Sequence, residues 1–531
     1  MPENRTWIIA PNDLPDSALT GGKTGLEKES LRINYDGNIA VTPHPKSLGA
    51  PLTHSCITTD FSEALLELVT PPCARPAEAI DFLNNTEAFV HRRLDGEYLW
   101  AASMPCRLDG NSDIPIARYG DSELGKKKTR YREGLALRYG KTMQVIAGVH
   151  FNYSFSDTLW TALRKQPDST PVSTDDINAR YMGMIRNLQR FGWINLYLFG
   201  ASPAVCRSFT EKRPVHLRAF DEQTWFHPHA TSLRMSDIGY TNDRIHTRHQ
   251  VIYHSLPAYI ESLDKLTQTP HPKFALLDSS YSGTPRQLNG NILQIENELY
   301  ATVRPKQIPQ DDETYLDALR MRGIRYVELR SIDVNPFFPN GITAEQLAFV
   351  ELLMHYCLLQ PSPEISDSEA LIIHQNYNDT AYRGRDPQLN LLRDGHPVRL
   401  HDWAMQIIDN MQAIADAMDK AHHTNEYSCA LNIQRNCVAF SELTPSSRML
   451  QVMENNNESF TEFVLRQSMQ HHRHHLDQRL ETEREKYYQA LSRKSHRQQQ
   501  IMEADDKLSA LIERLKYQHD IDPLNQLRQD F

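Results

Sequence analysis

Five stretches of the chain read as pleated strands, most of them from the alternation of apolar and polar positions, whose two-residue period is the mark of a strand. In 24–33 the alternation puts Glu27 and Glu29 on one face, with Leu26 and Lys28 on the other. In 59–70 the β-favouring residues around Glu67 end at Pro71-Pro72, with Asp60 near the start. A helical reading, with Glu63 and Glu67 as neighbours, fits that end less well. In 143–155, Val149, Phe151, Tyr153 and Phe155 turn inward, and Gln144, Ile146, Gly148, His150 and Asn152 turn the other way. In 291–300, Gln294, Glu296, Glu298 and Tyr300 share a face, and the pattern runs on through Arg304-Pro305-Lys306. The last stretch, 324–333, follows a helix closed by Gly323 and points Glu328 and Arg330 the same way.

The other period is helical. It predicts a helix over 76–97 with Ile80, Leu83, Phe89, Val90 and Leu94 as its stripe, then helices over 175–198 and 246–266. From 342 onward helices dominate: 343–359, 367–374, 400–421 and a long polar run over 458–517 with Ile501, Leu508, Ile512 and Leu515 at helical spacing. Asp36-Gly37 reads as a hairpin turn. Residues 103–140 carry few signals of either kind, and 205–240 read as irregular. The organisation expected is a sheet-and-helix body over 1–341 with a helical region, 342–531, packed on it.

Composition narrows the function. A chain of 531 residues exceeds a single small core, so two domains or one elaborated catalytic body are expected. Its net charge of −10, without long basic stripes, argues against nucleic-acid binding. Seven cysteines, scattered and without a Cys-x-x-Cys, fit neither a disulfide framework nor a zinc site. Residues 1–14 have no signal-peptide pattern, and no apolar run approaches the ~18 residues of a membrane span. The expectation is a cytoplasmic chain with no membrane partner.

The candidate chemistry lies on the strands. Two carboxylates on one strand face repel unless a cation accompanies them, and hard oxygen ligands suit magnesium. His150 facing them is a candidate ligand, and Glu328 beside Arg330 is suited to holding a phosphoryl group. Taken singly, each has an ordinary structural reading, as a solvated strand face, a hydrogen-bonded histidine or an ion pair within a strand. The basic run 126–132 is a solvated surface or an attractor for nucleotide phosphates. Gly21-Gly22-Lys23-Thr24 imitates a phosphate-binding loop but lacks its first glycine, with Ser17 in that place, and precedes a strand instead of a helix. His471 and His475, four apart, could chelate a metal, but no third ligand accompanies them.

Taken together, 25–33, 59–70, 234–242, 294–306 and 326–336 resemble bacterial glutamate–cysteine ligases of the gamma-proteobacterial type, and the resemblance extends over essentially the whole chain. It implies an α+β fold of the glutamine-synthetase-like kind: a curved, mainly antiparallel sheet forming a funnel-shaped active site, with a helical C-terminal third. It implies ATP- and Mg2+-dependent joining of the L-glutamate γ-carboxylate to the L-cysteine amine through a γ-glutamyl phosphate, with Mn2+ an acceptable replacement for Mg2+. By matching positions it assigns metal binding to Glu27, Glu29, Asp60, Glu67, His150 and Glu328, and charge stabilisation in phosphoryl transfer to Arg330. Gln144, Asn152 and Arg234 would surround glutamate. Phe61, Tyr131, Leu135, Tyr240 and Tyr300 would enclose the cysteine side chain, and Arg304 and Lys306 would meet the nucleotide phosphates. A monomer is expected. The competing readings are the same chemistry with another amine, and a non-catalytic scaffold that uses 458–517 to bind a partner.

Overall fold

A single strand of twelve residues, β1 (Lys23–Asn34), forms the spine of the molecule. The computed structural model describes residues 7–108, 114–164, 172–210, 216–239, 251–279, 283, 285–310 and 313–518. After β1 the strands are β2 (Ile57–Thr59), β3 (Leu65–Val69), β4 (Glu97–Leu99), β5 (Val149–Ser154), β6 (Ala204–Cys206), β7 (Arg218–Ala219), β8 (Thr224–Phe226), β9 (Val303–Lys306), β10 (Tyr326–Ile332), β11 (Asn390–Arg393) and β12 (His396–Arg399). The main sheet has the order β2-β3-β1-β5-β10-β9, and β4 pairs with the far end of β1. Every neighbouring pair is antiparallel. β6, β8 and β7 form a small second sheet, and β11 and β12 a two-stranded one.

Residues directly opposed in an antiparallel ladder point to the same face. The register opposes Glu29 to Glu67, Glu27 to His150, and Glu328 to both Asn152 and Arg304. One face therefore collects acidic side chains from three different strands, β1, β3 and β10, with His150 and Asn152 of β5 among them. The other face carries Leu26, Lys28, Leu66, Leu68, Val149, Phe151, Tyr153, Val327 and Leu329, all buried. Helices Pro76–His91 and Ala344–Leu359 cover it, reached by the contacts Lys28–Glu87 and Tyr153–Glu351. Tyr153 also explains Gly22: a Cβ there would lie 2.1 Å from the tyrosine hydroxyl.

Ala344–Leu359 is buried from Gln346 to its end, as expected of a helix that is apolar all round and packed on every side. Helices Thr174–Phe191, Leu400–His422 and Glu426–Ala439 surround it. One continuous hydrophobic cluster runs from Leu14 to Tyr488. Among the described residues no helix is long and apolar enough to cross a membrane. All seven cysteines are free thiols.

Several expectations are corrected. The stretch 291–300 is not a strand: it is irregular around a 3-10 turn at Glu296–Glu298. Glu298 turns inward to accept hydrogen bonds from Arg138, Tyr139 and the Gln294 amide, so it cannot share an open face with Glu296. Likewise Thr142–Val145 is a 3-10 turn, and β5 starts only at Val149. The quiet region 103–140 contains the helix Glu123–Tyr139, N-capped by Ser122. It escapes notice because its charged residues favour a helix without forming an apolar stripe. The run 458–517 is two helices, Phe460–Asp477 and Thr482–Gln518. Arg92 captures the carbonyls of Leu476 and Gln478 where the first ends. Helix 76–97 stops at His91 and helix 367–374 continues to Arg383; of the helix expected over 246–266, positions 246–250 lie outside the described residues and the described helix is Leu256–Gln268. Pro445–Asn456 and Glu426–Ala439 are helices that the pattern does not announce.

Behind β5, the buried Glu351 accepts hydrogen bonds from the hydroxyls of Tyr153 (2.8 Å) and Tyr427 (3.1 Å). Burial outweighs these bonds and lifts its pKa from 4.5 to about 7. The folded chain then holds one more proton than the unfolded chain between those two values. Stability from this group falls as pH rises across that window, by roughly 3 kcal/mol, and is level above it. Glu351→Gln removes the dependence. The melting temperature of the variant should therefore gain on that of the unmodified chain between about pH 5 and about pH 8. Parallel melting curves over this range would exclude Glu351 as the source.

Candidate active site

The acidic face of the sheet centres on His150. Its Nδ1 lies 3.2 Å from Oε2 of Glu27 and 3.6 Å from Oε1 of Glu328, and its Nε2 lies 3.7 Å from Oε1 of Glu29. Ligand atoms of Glu27, His150 and Glu328 all fall within 4.8 Å of one another. Asn152, one step along β5, donates to Oε1 of Glu27 at 3.0 Å. Arg330 donates to Oε1 of Glu328 at 2.8 Å, with the same nitrogen 3.3 Å from His150. Glu29 accepts from the Gly148 amide at 2.7 Å. The register accounts for this convergence, since Glu67–Glu29, Glu27–His150 and Asn152–Glu328 are opposed across strands, and Glu29–Glu27 and His150–Asn152 are two apart along one.

Charge is unevenly tolerated here. Burial, followed by the nearby charges of Glu27, Asp60 and Glu29, raises the Glu67 carboxyl well above the usual range. Burial also raises Glu29. For Glu27, burial is the largest influence and opposes ionisation, but the hydrogen bond and charge of His150 together with the charge of Lys306 leave the pKa lowered. For Glu328 the opposing burial is overcome by Lys306, Arg330 and Arg304, leaving it well below the usual range. Oε2 of Glu328 makes no hydrogen bond although Nζ of Lys306 is 3.4 Å away, and Oδ1 of Asn152 is also buried without one. A crowded set of oxygens with orphaned acceptors and a carboxyl pushed towards protonation fits a hard divalent cation.

A cavity of about 80 Å³ opens beside this cluster. Five residues from the predicted substrate set line it, Phe61, Tyr131, Leu135, Gln144 and Tyr300, together with Glu29, Asp60 and Arg330. Nε2 of Gln144 donates to the Tyr300 hydroxyl at 2.9 Å, so the 3-10 turn still delivers Gln144 to the site. Residues missed by sequence reasoning also line the cavity: Arg132, Met143, Ile146, Asn297 and Glu298. Arg132 shares the helix Glu123–Tyr139 with Tyr131 and Leu135, bonds the Asp60 carbonyl and lies 4.6 Å from the Tyr119 ring. Recognising that helix would have placed all three at the cavity.

Other predicted residues are held deeper. Arg234 is buried, with Nη1 3.6 Å from Asp333 and Nη2 donating to the Arg330 carbonyl at 2.8 Å. Gly148 makes room for it, because a Cβ there would sit 2.1 Å from Nη2. Arg304 bonds the carbonyls of Asn297 and Leu299 and so clamps the turn beside the cavity. Lys306 stands over the Tyr315 ring at 5.4 Å. Tyr240 lies outside the described residues. His471 and His475 do not converge on each other: Nε2 of His471 is 2.8 Å from the Pro336 carbonyl, whereas His475 meets Glu87.

Comparison with known proteins agrees with this geometry. The family profile described as Glutamate-cysteine ligase matches residues 10–380. The chain is 43% identical over 482 residues to a glutamate–cysteine ligase of Pseudomonas entomophila (strain L48), covering 91% of each chain. It is 42% identical over 485 residues to one from Azotobacter vinelandii (strain DJ / ATCC BAA-1303), again covering 91% of each. The crystal structure of a glutamate–cysteine ligase from Francisella tularensis in complex with AMP superposes with a TM-score of 0.86 at 33% identity, covering 91% of this chain and 95% of that one. With its carboxylate-bearing antiparallel sheet and this extent of likeness, the chain belongs to the glutamate–cysteine ligase family.

Proposed function

We propose that the acidic face activates the γ-carboxylate of L-glutamate by phosphoryl transfer from ATP and delivers it to the amine of L-cysteine. The product would be γ-glutamylcysteine, the first intermediate of glutathione synthesis. The observation that carries this reading is the meeting of Glu27, Glu29, Glu328 and His150 beside a cavity lined by Arg330, Phe61, Tyr131 and Tyr300. A free carboxylate resists attack by an amine at neutral pH, and conversion to an acyl phosphate removes that barrier. Magnesium ions, or manganese in their place, would neutralise the triphosphate and orient its terminal phosphorus for in-line attack.

The residues divide the work by position. Glu27, Glu29, Glu67, Asp60, His150 and Glu328 would hold the ions. Arg330, fixed by Glu328, would meet charge on the transferring phosphoryl group, with Lys306 and the more enclosed Arg304 on the nucleotide side. Asn152 and Gln144 offer polar contacts to glutamate, and Arg234 braces the strand that carries Arg330. The ring faces of Phe61, Tyr131 and Tyr300 with Leu135 suit a thiol, which is weakly polar and polarisable, and Tyr240 would complete the pocket. Cluster and cavity are built by one chain, which supports a monomer as the working unit, and the free thiols suit the reducing cytoplasm.

Purified chain should release ADP with glutamate and cysteine together, form a thiol-bearing dipeptide, and lose both activities when magnesium is chelated. Release of ADP without that dipeptide would point to a different amine. Glu27→Gln should lower kcat/KM by about 100-fold or more, roughly 3 kcal/mol, with the fold retained, because a ligand oxygen is lost at nearly constant volume. Normal rates at saturating magnesium would remove Glu27 from the cluster. Tyr300→Ala should raise the KM for cysteine about tenfold while glutamate is little affected. An equal effect on both substrates would displace the cysteine pocket from this cavity.

A further inference from the structure

Behind the sheet, on the side away from the acidic cluster, three potential metal ligands meet in the core. Glu87 and His91 are four apart on helix Pro76–His91, so they share one face of it. His475 comes from the facing helix, Phe460–Asp477. One ligand atom from each lies within 4.8 Å of the other two. All three are buried, Glu87 and His475 completely. The His91 and His475 rings stack at 4.7 Å, and Nδ1 of His91 is 2.9 Å from Nδ1 of His472.

The polar accounting of this cluster does not close. Nε2 of His475 lies 2.8 Å from Oε2 of Glu87, yet the approach lacks hydrogen-bond direction. These two atoms have only each other as an ion pair, and Nδ1 of His475 is buried with no partner at all. Such orphans are rare in folded proteins and call for a ligand.

We propose that Glu87, His91 and His475 form a second metal site, for a borderline transition ion of the zinc class, that ties the two helices together behind β1. Two imidazoles and one carboxylate favour such an ion over Mg2+ or Ca2+, which prefer all-oxygen shells. Lys28, on β1 between Glu27 and Glu29, bonds the other oxygen of Glu87. Its ammonium repels a dication and lowers the affinity, which selects further for an ion that gains from nitrogen ligands. The site uses none of the residues of the acidic face.

Co2+ is the probe, added to full-length chain after chelator dialysis and in saturating Mg2+, which fills the acidic cluster. One equivalent per chain should bind and give the intense visible bands of a near-tetrahedral site. Glu27→Gln should retain it, and His475→Asn should weaken it by about 100-fold or more. Lys28→Met should tighten it by about tenfold or more, since a like charge is removed. Zn2+ should raise the melting temperature of the unmodified chain and not that of His475→Asn. No Co2+ retained in saturating Mg2+, equal retention in His475→Asn, or loss in Glu27→Gln overturns the proposal. If His475→Asn does not fold, Lys28→Met decides: unchanged or weaker affinity overturns it.

Discussion

Like charges brought together on one sheet face impose the constraint that governs this molecule. Glu27, Glu29 and Glu328 approach one imidazole, Glu67 stands opposite Glu29, and the four cannot all ionise without compensation. Part of that compensation is permanent: Arg330 and Lys306 flank Glu328, and His150 bonds Glu27. The remainder is expressed in the raised pKa values of Glu67 and Glu29, and it is what the proposed ions would supply. A site preorganised in this way stores electrostatic tension until ligands relieve it.

That tension needs a rigid support, and the support is apolar. The strands carrying the carboxylates present Leu26, Phe151, Val327 and Leu329 to the helical layer behind them. The polar exceptions in that layer are few and specific. Glu351 links β5 to the helical core through two tyrosines, and Glu87 links β1 to two helices through Lys28 and His475. Each exception lies directly behind a strand that bears cluster residues, so the polar and apolar faces are braced at the same points.

Much of this was legible from alternation. Glu27 with Glu29, His150 with Asn152, and Glu328 with Arg330 each lie two apart on real strands, and a period of two reports a shared face directly. The same rule misled at Gln294–Tyr300, where a turn happens to alternate and Glu298 is drawn inward by Arg138. Arg132 was missed because a helix of basic residues shows no apolar stripe, although it delivers Tyr131 and Leu135 as well. The partners of His475 were invisible for another reason. Glu87 and His91 stand on a helix remote in the chain, and only packing brings them together.

The register of β1 has one more effect, on how the chain tolerates length changes. Its neighbours along the strand alternate in sign, with Lys28 between Glu27 and Glu29. A one-residue slip of this strand would turn Lys28 towards the acidic face and drive two glutamates into the helical layer. Both faces would then carry the wrong charge at once. The alternation of sign thus acts as a proofreading device for strand pairing, and insertions or deletions within Lys23–Asn34 should be far less tolerated than in the loops on either side.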